Sequence, residues 1–262
     1  MKITKANYFK NTPIEEYLSA DRISRGLLFD FSNAPSSAHV MLKEKSGDHY
    51  SMGRAIHTAV LEPHLFDLLF VRGPIDRRGN KWKDAKMALG KTQELLTSGD
   101  YDKALEISVS ISVNNKKAAE IIAHSEKEIT CFAEDDKGRL HKARSDILGC
   151  SFIYDLKSTT SVDPDFFSKE ILKHGYHCQA AYYSDLFNHP LNNIEEFGFI
   201  VVEKEPPYIS NVFTLDKAAI ELGRHVYERG LEKYDEYIRS GKISWPTPQT
   251  IDVPPWAYTK EL

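Results

Sequence analysis

Asp146 and, nine residues later, Asp155-Leu156-Lys157 supply two carboxylates and an ammonium that two short strands could bring together. Leu140–Ile147 and Ser151–Lys157 are both β-prone, and Leu148-Gly149-Cys150 between them is a glycine-bearing turn. That pattern predicts an antiparallel hairpin. Alternation along its second strand puts Asp155 and Lys157 on one face, with Phe152, Tyr154 and Leu156 on the other. Charges on an apolar strand are costly to bury without partners. Phosphodiester hydrolysis, by contrast, needs carboxylates to hold Mg²⁺ and a cation near the attacking water. Alone, an Asp-x-Lys pair is more often a surface ion pair worth little. The rest of the chain has to decide.

Other segments offer complementary groups. Gly53-Arg54-Ala55-Ile56-His57 places a histidine on a helix. Gln179 and Tyr183 are four residues apart and share a helix face, with the small Ala180 and Ala181 between them to allow close packing. An amide and a phenol hydrogen-bond without net charge, which suits positioning a phosphate or a water. Polar Ser158, Thr159 and Thr160 leave the strand end after Lys157. Positive charge is concentrated in two runs: Arg72, Arg77, Arg78, Lys81, Lys83, Lys86 and Lys91, and then Lys137, Arg139, His141, Lys142 and Arg144. Either could meet a polyanion locally.

Periodicity gives the elements that must position these groups. Residues 14–30 read as one helix, broken by Asn33-Ala34-Pro35-Ser36-Ser37. Ser51 is the expected N-cap of a helix carrying Ile56, Val60 and Leu61, which Pro63 interrupts before Leu65, Leu68 and Leu69. Helices are expected over 82–96, 101–123 and 169–187, the last broken at Gly175. Strands are expected from Glu128–Ala133, over 197–202 and near 208–215. A long helix should run from about 216 to 240 with Leu222, Val226, Leu231, Tyr234 and Ile238 inward, before an irregular proline- and aromatic-rich tail. The economical architecture is one α/β domain over 1–262, a small mixed β-sheet flanked by helices. Its parts are a helical region at about 14–125, a sheet-containing core at about 126–240 and the tail at 241–262.

Bulk properties narrow the class. The chain has 262 residues, 41% hydrophobic and 27% charged, an ordinary globular balance. No apolar run approaches a bilayer span and the N-terminus has no signal-peptide core, so the cytoplasm is the expected location. Cys131, Cys150 and Cys178 are far apart, which argues for reduced, buried residues rather than a disulfide framework or zinc site. No Gly-x-Gly-x-x-Gly or phosphate-loop motif favours a nucleotide cofactor. With a net charge of −4, any contact with nucleic acid must be local.

Together, Gly53-Arg54 with His57 and Leu61-Glu62-Pro63, Lys142-Ala143-Arg144-Ser145-Asp146, Asp155-Leu156-Lys157-Ser158, and Gly175-Tyr176-His177 with Gln179 and Tyr183 resemble the RecE-type exonucleases. These belong to the PD-(D/E)xK nuclease superfamily, with lambda exonuclease and the RecB nuclease domain. Pro255-Trp256-Ala257 also resembles the end of that domain, so the likeness runs from about residue 20 to the C-terminus. Ser145 replaces the superfamily's proline, which is not a ligand. The large N-terminal region of full-length RecE is not in this chain, which implies a self-standing nuclease.

The resemblance implies a restriction-endonuclease-like core and a Mg²⁺-dependent exonuclease, with Mn²⁺ as a substitute, acting on double-stranded DNA from the 5′ end. It implies that His57, Asp146, Asp155 and the Leu156 carbonyl hold the metal. Lys157 would orient the water and offset charge, Gln179 and Tyr183 would position water or phosphate, and Arg22, Ser24 and Arg54 would grip a 5′ phosphate. It further implies a homotrimer or homotetramer ring, a single-strand annealing recombinase as partner, a phage or prophage context in a bacterial cell, and no membrane. Rival readings are a structure-specific or restriction-like endonuclease of the superfamily, and a DNA-binding assembly protein without activity.

Overall fold

The computed structural model describes residues 1–33, 48–188, 193–241 and 250. In chain order the elements are β1 (Ile3–Phe9), α1 (Ile14–Ser19), α2 (Arg25–Asn33), α3 (Asp48–Leu61), α4 (Pro63–Leu69), β2 (Phe70–Arg72), α5 (Asn80–Met87), β3 (Glu94–Leu96), α6 (Ser98–Asn114) and α7 (Lys116–Ala123). There follow β4 (Glu126–Asp135), β5 (Leu140–Leu148), β6 (Phe152–Thr159), α8 (Pro164–Lys173), α9 (Tyr176–Phe187), β7 (Glu196–Glu203), β8 (Ser210–Thr214) and α10 (Lys217–Ser240).

Six strands form a sheet in the order β1-β4-β5-β6-β7-β8, antiparallel throughout except for the parallel β6–β7 pair. The short β2 and β3 make a separate parallel ribbon. Phe197 to Val202 in β7 are all buried, the continuous apolar run of a strand covered on both faces. Alternation along β6 feeds two cores. Ile153 joins Leu28 of α2, Tyr182 of α9 and Val226 of α10, whereas Tyr154 and Leu156 join Ile56 of α3, Ile107 of α6 and Ile121 of α7. The expected architecture, a small mixed sheet flanked by helices, is therefore observed.

Helix α9 packs into the core beside the sheet, with Ala180 and Ala181 fully buried. The chain breaks before it at Gly175, whose φ of 67° is left-handed and costs glycine least. Gly223 lets α10 press against α9: an added Cβ there would lie 2.0 Å from the His177 carbonyl oxygen. Side chains of Thr97, Asn115, Asp163 and Asp216 accept N–H groups at the starts of α6, α7, α8 and α10.

Several expectations are corrected. The helix read over 14–30 is two, because Ile23 between them bridges to β5: its N–H donates to the Leu140 carbonyl and its carbonyl accepts the Lys142 N–H, each at 2.8 Å. The 82–96 helix stops at Met87, and Glu94–Leu96 instead pairs with β2. Asn115 divides 101–123 by capping α7. Ser51 falls inside α3 rather than at its cap. In α10, Val226 and Leu231 face inward, but Leu222 and Ile238 are 49% and 63% exposed. Cys131 and Cys178 are buried, whereas Cys150 is exposed. The Pro63 interruption and the Gly175 break are where the sequence places them. Residues 34–37 and the tail from 242, save 250, lie outside the described residues. Among the described residues no helix is long and apolar enough to cross a membrane.

Candidate active site

The predicted hairpin forms, but β5 and β6 pair only beside their turn, at Ile147↔Tyr154 and Leu148↔Ile153. Beyond that point β6 pairs along its whole length with β7, and the two strands part. Asp146 stands at the fork, where its Oδ2 accepts the N–H of Leu156 at 2.9 Å. The fork thus leaves Asp146, Asp155 and Lys157 around a gap rather than along a closed ladder.

Two further groups enter that gap. His57 on α3 places Nδ1 3.4 Å from Asp146 Oδ2. Glu128 on β4 is flanked by the pairs Lys127↔Ile147 and Ile129↔Ser145, which puts it across the ladder from Asp146. Ligand-capable atoms of His57, Glu128 and Asp146 all lie within 4.8 Å of one another. Glu128 is absent from the sequence-derived site. A signal for it exists: Glu128 and Asp146 are equidistant from Lys137, beside Gly138, so a hairpin centred there makes them partners.

On the other side of Asp155, Gln179 of α9 donates its side-chain amide to Asp155 Oδ1. Lys157 forms an ion pair with Asp155 Oδ2, and its ammonium lies 4.7 Å from the centre of the Tyr176 ring. Tyr183, one turn beyond Gln179, lines the cleft together with Tyr17. Asp155 is 2% exposed and Gln179 4% exposed. Asp155 Oδ2 is taken up by its ionic contact with Lys157, whereas Gln179 Oε1 makes no hydrogen bond. Buried polar atoms left in this state are uncommon and call for a partner.

The electrostatics point the same way. Burial, then the negative charges of Asp155 and Glu128, push the Asp146 carboxyl well above its ordinary value. Burial pushes His57 down, against the pull of Glu128 and Asp155, which favours the neutral ring that ligates metals. Burial opposes the charge on Lys157, but Asp155 and Asp146 outweigh it and hold the ammonium above its usual range. Oxygen donors with one imidazole and excess negative charge fit a hard divalent cation.

The site opens on a cleft of about 930 Å³ whose lining includes Tyr17, Arg54, His57, Glu128, Arg144 and Tyr183. Arg54 reaches it while paired with Glu94. The Arg22 guanidinium lies 4.7 Å from the centre of the Phe132 ring, and Ser24 Oγ accepts the Leu27 N–H at the start of α2. Much of the second basic run is consumed internally. Lys142 donates to the carbonyls of Tyr17, Leu18 and Ala20, and Arg139 pairs with Asp135 and Asp235. Only its Arg144 lines the cleft. In the first run, Arg72, Arg77 and Arg78 pair with Asp102, Asp100 and Asp76, whereas Lys81, Lys83 and Lys86 of α5 are exposed.

No curated protein sequence matches the chain. The crystal structure of a "putative exonuclease" from Eubacterium rectale superposes with a TM-score of 0.63 at 14% identity, covering 90% of this chain and 89% of that one. An alkaline exonuclease from Laribacter hongkongensis gives a TM-score of 0.36 at 13% identity, with coverage of 87% and 97%. At such identities the first likeness speaks for the fold, and the second is too loose to argue from. The model of a family described as a PDDEXK-like domain of unknown function matches residues 28–248, and the chain therefore belongs to that family, DUF3799.

Proposed function

We propose that this chain is a Mg²⁺-dependent exonuclease that degrades one strand of double-stranded DNA from the 5′ end, leaving 3′ overhangs for strand annealing. The observation that carries this reading is that His57 and Asp146 line one cleft, that Asp146 is tied to the Asp155-Leu156-Lys157 strand through the Leu156 N–H, and that Lys157 and Gln179 both engage Asp155. Membership of a PDDEXK-like family supports it.

His57, Asp146, Asp155 and the Leu156 carbonyl would hold the cation, with Mn²⁺ able to replace Mg²⁺. When bound, it supplies Lewis-acid stabilisation of charge on the phosphate oxygens. Lys157 keeps its proton and acts by charge, orienting the attacking water and offsetting charge at phosphorus. Gln179 spends its amide nitrogen on holding Asp155, which leaves its free oxygen to orient water. Tyr183 and Arg144, which line the cleft, would contact the backbone phosphates. Of the residues proposed to grip a 5′ phosphate, Arg54 is favoured because it lines the cleft.

A ring of three or four subunits would reconcile a net charge of −4 with a polyanionic substrate, with Lys81, Lys83 and Lys86 turned to the channel. An annealing recombinase would then receive the overhang. The test is digestion of linear duplexes labelled at either end, with and without a 5′ phosphate, beside a covalently closed circle. Mg²⁺-dependent loss of the 5′ label with the circle intact is expected. Rapid cutting of the circle would overturn the exonuclease reading in favour of an endonuclease.

A further inference from the structure

Glu128 adopts φ 53°, the left-handed region, near the start of β4. A residue bearing a Cβ seldom sits there, and such conformations persist where the surroundings impose them, often at functional sites. The ladder keeps its register on either side, through Lys127↔Ile147 and Ile129↔Ser145, so the unusual backbone is confined to this residue. Its side chain is 15% exposed and accepts from Arg144 Nε at 2.5 Å. Arg144 also donates to the Thr12 carbonyl at 2.7 Å. One guanidinium nitrogen does not exhaust a carboxylate, which has about four acceptor positions. The remaining capacity lies beside His57 and Asp146, whose ligand-capable atoms are within 4.8 Å of the Glu128 carboxylate.

We propose that Glu128 is a cation ligand, forming with His57 and Asp146 one wall of the metal centre, while Arg144 fixes the orientation of its carboxylate. This rests on the nuclease reading of the same site and adds a residue to it. Arg144 then has a double position, steadying a ligand and facing the cleft.

The test uses the full chain, freed of metal by chelation and titrated calorimetrically with Mn²⁺ without DNA. Glu128→Gln is expected to weaken binding at least about tenfold, the range lost when groups at a metal site are altered. Glu128→Gly should do the same, and glycine suits the left-handed backbone, so this variant retains the fold if glutamine disturbs it. Glu126→Gln removes an exposed carboxylate on the same strand, paired with Lys10, and should bind as wild type. Wild-type affinity in both Glu128 variants, with binding lost in Asp146→Asn, would overturn the proposal and leave the nuclease reading standing. Wild-type affinity in Asp146→Asn as well would overturn both.

Discussion

Asp146 Oδ2 accepts the Leu156 N–H at the point where β5 and β6 stop pairing, so one carboxylate both ties the fork together and faces His57. Asp146→Asn keeps an oxygen for that hydrogen bond and removes a charge from beside Asp155 and Glu128. Metal-free Asp146→Asn should therefore melt at or above the wild-type temperature, while DNA degradation falls at least about a hundredfold. Thermal melts with chelator, paired with a nuclease assay, check this. A clear loss of stability would mark Asp146 as chiefly structural.

Lys157→Met separates charge at the phosphate from metal binding. It removes a cation in ionic contact with Asp155 and lying against Tyr176. The turnover rate should drop at least about a hundredfold, while Mn²⁺ binds no more weakly than to wild type. Weaker metal binding would show that Lys157 acts by holding Asp155 in place.

How much of this was legible follows from particular residues. The β5–β6 hairpin and the face shared by Asp155 and Lys157 come from period-2 alternation, a local signal. Residues Gln179 and Tyr183 are likewise found by helical spacing. Strand β1 was missed because it is a polar edge strand, Ile3 being its only buried residue. The β2–β3 ribbon is three residues long, too short to carry a period. Glu128 escaped because its role depends on cross-strand register, and Lys142 because its three carbonyl acceptors close the end of α1, over 120 residues away.

The stability of the sheet's far end should depend on acid. Asp135 is buried against Arg139 and His141. Burial pushes its carboxyl up, but hydrogen bonds from Arg139 and His141 outweigh this and hold it below the ordinary value. A depressed carboxyl contributes stability above the unfolded value and loses it as pH falls through the folded one. Chemical denaturation from about pH 4 downward should then weaken wild type more steeply than Asp135→Asn. Parallel slopes would remove Asp135 from the acid response.

Gly223→Ala tests the seat of α9. The added methyl meets the His177 carbonyl and must push α10 away, at a cost of about 1–3 kcal/mol. Urea denaturation should show that loss. Unchanged stability would mean the helices separate freely, contrary to the close packing described here.

The most direct test of the central claim is degradation of linear duplex DNA by wild type and Asp155→Asn, each with Mg²⁺ and with EDTA. Asp155 is the buried carboxylate that both Gln179 and Lys157 engage. Degradation by wild type in Mg²⁺ alone, with Asp155→Asn inert in both conditions, is the predicted result. Equal degradation by the two proteins would contradict a catalytic centre at Asp146, Asp155 and Lys157.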